Sequence, residues 1–170
     1  MDTFLSIASK REVREYAGRP IPVDAERRIL EAGRIAGSSR NRQPWRFLIV
    51  ESPSLRERLA EAVYVPANVR SAALVVAIAL HGGGPTAFDA GRAAQNMMLT
   101  AWNDRIGSCP NGMPDPDAVA QLLDLEEGER PFTVLTFGYP VRTRDPERHT
   151  AIEWIERADR KPFDDVVERL

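Results

Sequence analysis

The chain has 170 residues, 43% of them hydrophobic, with 23 basic against 25 acidic side chains and a net charge of −2. That is enough apolar material for one domain with a real core, and the balance of charge argues against broad electrostatic binding to nucleic acid. The lone Cys109 excludes an internal disulfide and any multi-cysteine metal site. The chain start lacks the charged-then-apolar pattern of a signal peptide, and the longest apolar run, Ala72 to Leu80, is too short to cross a bilayer. The expected setting is therefore cytoplasmic, with no membrane partner. No repeat, low-complexity tract or linker divides the sequence, so residues 1–170 read as one domain.

Phe4 to Ala8, continuing into the basic segment Lys10-Arg11-Glu12-Val13-Arg14, reads as a first helix that frays into a turn before Pro20 and Pro22. Asp24 is placed to cap a second helix with Ile29, Ala32, Gly33 and Ala36 on one face. Residues 36–50 then combine a small-residue turn, a Gln-Pro-Trp stop and an apolar strand over 46–50. Gly37, Ser38 and Ser39 have little bulk, so backbone amides and hydroxyls there can approach a flat polar ligand. A plain helix-to-strand connection would use the same residue types. Ser52 with Pro53 starts a helix that Leu55, Leu59 and Val63 continue, and Ala72 to Leu80 reads as a fully buried strand. That strand runs into the flexible turn His81-Gly82-Gly83-Gly84-Pro85.

Asp89 is expected to cap the strongest helix, about residues 90–105, whose Ala90, Ala93, Ala94, Met97, Met98, Ala101 and Trp102 recur at helical intervals. Asp115 with Pro116 starts a short helix through Leu123. Phe132 to Phe137 is a third strand, closed by Gly138-Tyr139-Pro140, and a helix around 148–158 precedes a charged tail. Three strands with five or six helices indicate an α+β fold, not a regular βαβ repeat.

Several motifs fail on inspection. His81-Gly82-Gly83-Gly84 imitates the oxyanion loop of esterases, but no Gly-x-Ser-x-Gly elbow occurs; Ile106 and Pro110 stand where the glycines around Ser108 would be. His81 and His149 lack partners at metal-ligand spacing, and Cys109 reads as a small buried hydrophobe. No phosphate loop or dinucleotide fingerprint is present. Two cationic clusters remain, Lys10, Arg11 and Arg14 near the start and Arg160 with Lys161 near the end. Each alone reads as a solvated face; together they suit a dianionic phosphate. With the serine-rich turn and Gly107-Ser108-Cys109-Pro110-Asn111-Gly112, read as a loop of exposed backbone donors, they match the needs of flavin mononucleotide (FMN).

On these residues the chain resembles the FMN-dependent nitroreductase family over nearly its whole length. Lys10 to Tyr16 resembles the family's opening Arg-Arg-Ser-x-Arg-x-Phe, and residues 38–45, Ser-Ser-Arg-Asn-Arg-Gln-Pro-Trp, resemble its Ser-Ser-x-Asn-x-Gln-Pro-Trp signature. Asp89 through Trp102 is similar to the family's long helix, and Arg105-Ile106-Gly107-Ser108 to its Gly-Ile-Gly-Ser turn with the first glycine lost. Phe137-Gly138-Tyr139-Pro140 matches a late strand end, and Arg160-Lys161-Pro162-Phe163 resembles Arg-Lys-Pro-Leu before the C-terminal tail.

The resemblance implies a mixed β-sheet flanked by helices and a homodimer with FMN sites at the subunit interface. It implies that Lys10, Arg11, Arg160 and Lys161 hold the FMN phosphate and neighbouring ribityl oxygens, with Arg14 on the ribityl and pyrimidine side. Ser38, Ser39 and Asn41 would reach the cofactor from the second subunit, Asn111 and Gly112 would face flavin N5 through their backbone, and Asn68 would contact the ring. Hydride would pass from NAD(P)H through the flavin to a small electron-poor acceptor such as a nitroaromatic or quinone, with no strongly placed acid–base residue. Glu12 departs from the motif's serine, and an anion beside phosphate is unfavourable unless it pairs or points away. Members that fragment flavin to make dimethylbenzimidazole carry an acid there, so that activity, and a flavin-binding module without turnover, are the alternatives. The short segment between about 63 and 88 leaves little room for covering helices, which implies an open pocket.

Overall fold

A computed structural model describes all 170 residues. Its helices are α1 (Thr3–Ser9), α2 (Val23–Arg34), α3 (Pro53–Glu61), α4 (Pro66–Ser71), α5 (Thr86–Asn103), α6 (Pro116–Leu122) and α7 (Ala151–Glu156). Its strands are β1 (Trp45–Ile49), β2 (Leu74–Leu80), β3 (Gly107–Asn111) and β4 (Arg130–Gly138), in sheet order β1-β2-β4-β3. This is the expected α+β architecture. All three ladders are antiparallel, and parallel pairing enters only at a single bridge between Glu12 and Ser108.

The chain forms two compact units, Glu12–Arg144 and Met1–Arg11 with Asp145–Leu170. In the larger unit β2 is buried along its whole length, which explains its uninterrupted aliphatic sequence. The core gathers Leu74, Val76, Ile78 and Leu80 of β2, Leu135 and Phe137 of β4, and the Ala90, Ala93, Ala94, Met97 and Ala101 face of α5. Close approach of α2 to α5 depends on Gly33, where an added Cβ would lie 2.7 Å from Met97 Sδ and 3.0 Å from the Phe47 ring.

The smaller unit is held by α1 against α7. Arg11 donates to the carbonyls of Ala8 (2.7 Å), Lys10 (2.9 Å) and Trp154 (3.0 Å), with its guanidinium 5.2 Å from the centre of the Trp154 ring. The Trp154 indole donates to Pro146 O at 2.7 Å, and Thr150 with Glu153 forms a capping box at the start of α7.

Four sequence expectations need correction. The basic segment after Ser9 is extended, because Glu12 and Val13 join the edge of β3, Val13 N–H donating to Ser108 O at 3.0 Å. Gly107–Asn111 is an edge strand paired with β4 and not a loop of exposed donors; its glycine, proline and asparagine conceal strand character that the partner strand imposes. α5 begins at Thr86, three residues before the expected cap, so Asp89 lies inside the first turn. α2 begins at Val23 with Pro22 as its cap, and Asp24 instead pairs with Arg28 at 2.8 Å. Ser52 and Asp115 do cap α3 and α6, accepting from Leu55 N–H (3.4 Å) and Ala118 N–H (3.0 Å). The one-and-a-half turns of α4 were too short to read from periodicity.

Gly107 and Gly138 face each other in the β3–β4 register. A Cβ on Gly107 would meet Val13 Cβ at 2.6 Å, and one on Gly138 would meet the Tyr16 ring at 2.8 Å. These paired absences of a side chain let residues 12–17 lie along the strands. Gly107→Ala and Gly138→Ala should each cost about 1–3 kcal/mol of unfolding free energy in urea titrations. Gly83→Ala, whose methyl meets nothing within 4 Å, is the control that should stay near wild type.

Candidate functional site

The opening segment is fastened at both ends. Beyond the Glu12–Ser108 bridge, Ala17 N–H donates to Tyr139 O at 2.8 Å and Val141 N–H to Glu15 O at 3.1 Å. Between the two segments lies a cleft of about 400 Å³, with Glu12 to Glu15 on one wall and Pro140, Arg142 and Arg144 on the other. Of the expected site residues, Glu12 and Arg14 share this cleft; Arg142 and Arg144 are additions that sequence reading missed, since nothing in Val-Arg-Thr-Arg distinguishes them from a solvated loop.

Ser38, Ser39 and Asn41 come together in one turn. Arg40, Asn41 and Gln43 have φ of 53°, 55° and 52°, left-handed backbone that is uncommon without glycine and costs about 1–3 kcal/mol per residue. The compensation is local hydrogen bonding. Asp89, 3% exposed, accepts the Ser39 N–H at 3.0 Å, and Ser38 Oγ accepts the Gln43 N–H at 2.8 Å. Arg42 adds a bond to Gly83 O at 3.2 Å. Ser38 keeps its hydroxyl proton to donate, whereas the Ser39 amide is engaged by the brace. Sequence reading took Asp89 for a helix cap; its place on the Asp89-Ala93-Met97 face, an otherwise apolar stripe, was the available signal.

Asn68 and Asn111 also meet, deep in the fold. Asn68 Nδ2 donates to Asn111 Oδ1 at 2.7 Å, and Asn111 Nδ2 donates to Val134 O, Cys109 O and Thr136 Oγ1 at 2.9, 3.0 and 3.2 Å. Thr136 Oγ1 in turn lies 3.0 Å from Tyr16 Oη and donates to Cys109 O at 3.1 Å. The line Tyr16–Thr136–Asn111–Asn68 is buried throughout, and Asn68 Oδ1 and Ser108 Oγ are buried with no partner. Gly112 leaves this strand with its carbonyl accepting Tyr64 N–H at 3.1 Å. The signal for Tyr16 was its hydroxyl, standing where the resembled motif has phenylalanine.

The remaining four residues lie in the smaller unit. Lys10 and Arg11 follow α1, and Arg160 and Lys161 are exposed beyond α7. No group of three or more His, Cys, Asp or Glu side chains could hold a metal, and no helix is long and apolar enough to cross a membrane.

Burial drives the Tyr16 hydroxyl above the ordinary tyrosine value of 10.0, against the smaller opposing effect of its bond to Thr136. A raised folded value means the contribution to stability is intact below pH 10 and falls as pH climbs beyond it. Tyr16→Phe should lose about 1 kcal/mol at neutral pH and flatten that alkaline decline in denaturation curves. Asp89→Ala should cost about 1–3 kcal/mol, and amide exchange at Ser39 and Gln43 should accelerate as the turn loosens.

The description "Nitroreductase family" matches residues 7–81 and 84–139 of the chain. A Methanothermobacter thermautotrophicus protein, named provisionally as an NADH dehydrogenase/NAD(P)H nitroreductase, is 28% identical over 91% of this chain and 88% of its own length. Among solved structures, a nitroreductase family protein from Clostridium difficile superposes with a TM-score of 0.82 at 23% identity, covering 99% of this chain and 98% of its own. The NADPH:FMN oxidoreductase of Vibrio harveyi, solved with NAD+, gives 0.83 at 23% identity over 96% of this chain and 75% of its own. At such identities the structural likeness speaks for the fold, and the family match spans most of the sequence: the chain belongs to the nitroreductase family, a family of oxidoreductases.

Proposed function

We propose that the protein is an FMN-dependent oxidoreductase that takes hydride from NAD(P)H and passes it to an electron-poor acceptor such as a nitroaromatic or quinone, working as a homodimer. The observation that carries this reading is the opening segment, which resembles the family's opening motif. It is fastened along β3 and β4 so that Arg14 fronts a cleft of about 400 Å³, within the size range of small-molecule sites. The names of the Methanothermobacter and Vibrio proteins support the donor and cofactor.

The donor set fits FMN. Arg14 supplies a guanidinium without an internal hydrogen-bond or ion-pair partner, and the Glu12 carboxylate can accept from hydroxyls but repels phosphate. The cleft therefore suits the ribityl and pyrimidine part, while Lys10, Arg11, Arg160 and Lys161 are the groups that the resemblance implies for phosphate. Ser38 has a hydroxyl proton to offer, and the end of β3 offers the Asn111–Gly112 backbone. FMN, when bound, supplies the redox chemistry, so the chain contributes orientation, fixed positive charge and exclusion of competing geometry. The buried network holds Asn111 by its side chain, which leaves its backbone little freedom. Val23 at the start of α2, Ile35 just past its end and Phe88 in α5 are 84%, 64% and 69% exposed, apolar side chains of the kind a second copy would cover.

The purified protein should be yellow or take up FMN on titration, and anaerobic NADPH or NADH should bleach the flavin band until an acceptor restores it. A colourless protein that binds no FMN overturns the reading; oxygen-dependent loss of bound flavin would assign it to the flavin-fragmenting activity instead. Arg160→Ala should weaken FMN binding by about 1.5–3 kcal/mol, measured by fluorescence titration, with little change in thermal stability.

A further inference from the structure

Two of the chain's three tyrosines are committed to the fold. Tyr16 is buried with its hydroxyl on Thr136, and Tyr139 is half-buried with the Arg19 guanidinium 4.0 Å from its ring centre. Tyr64 is 70% exposed, its hydroxyl has no hydrogen-bond partner in the chain and no cation covers its ring. A single exposed ring is ordinary; what distinguishes Tyr64 is how it is held. Residues 62–65 join α3 to α4, with Val63 buried in the core and Pro66 starting α4, so that Tyr64 is turned outward. Its N–H donates to Gly112 O at 3.1 Å, and Asn68 just beyond donates to Asn111 Oδ1 at 2.7 Å. Both bonds fasten this connection to the end of β3. The ring lies against Gly112, where an added Cβ would stand 3.1 Å from Tyr64 Cδ2 and 3.2 Å from Cε2.

The Asn111–Gly112 backbone is the part of β3 that the oxidoreductase reading gives to flavin N5. A phenol ring is thus built onto that backbone with much of its surface open. The face of a tyrosine ring is electron-rich, and its favourable stacking partner is a ring depleted of electrons by nitro or quinone groups. The unused hydroxyl can donate to the oxygens of the same groups. Val65, 42% exposed, extends the apolar surface beside it. Because the connection is already fastened, holding a ligand there orders little that was free. We propose that Tyr64 selects the electron acceptor by stacking on its ring, so that aromatic acceptors are preferred to aliphatic ones carrying the same reducible group. The proposal rests on the oxidoreductase reading and names the residue that sets its acceptor specificity.

The test titrates the oxidised, FMN-loaded protein with 4-nitrobenzyl alcohol and with 2-methyl-2-nitropropane, following the perturbation of the flavin absorbance band. No electron donor is present, so binding is read without turnover. The wild type should bind the aromatic compound more tightly. Tyr64→Leu should weaken it by about three- to tenfold, the range of one stacked ring pair, and leave the aliphatic compound unchanged. Tyr64→Phe, which keeps the ring, should retain most of the preference. In turnover the aromatic-to-aliphatic ratio of kcat/KM should fall by the same factor in Tyr64→Leu. A preference that survives Tyr64→Leu, or equal binding of the two compounds by the wild type, overturns the role of Tyr64. A parallel loss of FMN affinity or thermal stability in Tyr64→Leu overturns it too, since the ring would then serve the cofactor or the fold. A protein that takes up no FMN sinks the oxidoreductase reading and this proposal with it, whereas a flavin-loaded protein indifferent to position 64 sinks the proposal alone.

Discussion

The arrangement rests on contact between residues 12–17 and the paired strands β3 and β4, which exists because two facing positions have no side chain. Gly107 and Gly138 leave room for Val13 and the Tyr16 ring at distances that any Cβ would close. Backbone bonds at Val13, Ala17 and Val141 then fix the segment, and the cleft wall follows from that fixation. A sheet edge is ordinarily a hazard because its amides and carbonyls are open; here the chain covers its own edge and forms the wall of a cleft by doing so.

Polar burial is the second organising element. Threonine, tyrosine and two asparagines form a continuous line within an otherwise aliphatic interior, with nearly every group satisfied. The cost of leaving such groups unpaired makes the register of β3 against β4 specific, since sliding by one residue would part Asn111 from Thr136. The chemistry proposed at the end of β3 thus depends on a network buried behind it.

Much of this was legible. The aliphatic run of β2, the stripe of α5 and the proline-marked starts of α3 and α6 follow from periodicity and capping, which are local properties. The strand character of Gly107–Asn111 was hidden because it is imposed by β4, a partner far away in sequence. Asp89 was misread for a related reason: a carboxylate near a helix start suggests a cap, and only the folded turn reveals that it serves Ser39. The motif residues were identifiable as a set, but their grouping was not. Asn68 joins Asn111 in the interior, Glu12 and Arg14 share a cleft, and the four outer cations sit with α1 and α7.

The left-handed turn at 40–43 is connected to the glycine turn at 82–84 by two routes, through Arg42 to Gly83 and through Asp89 in the first turn of α5. Neither turn can therefore relax alone. A disturbance that tilts the start of α5 withdraws the carboxylate brace and the Gly83 carbonyl together, and the strain held in three non-glycine residues favours release. The two turns form a single mechanical element, so a molecule docking on the exposed glycines would be felt at Ser38 and Ser39 without touching them.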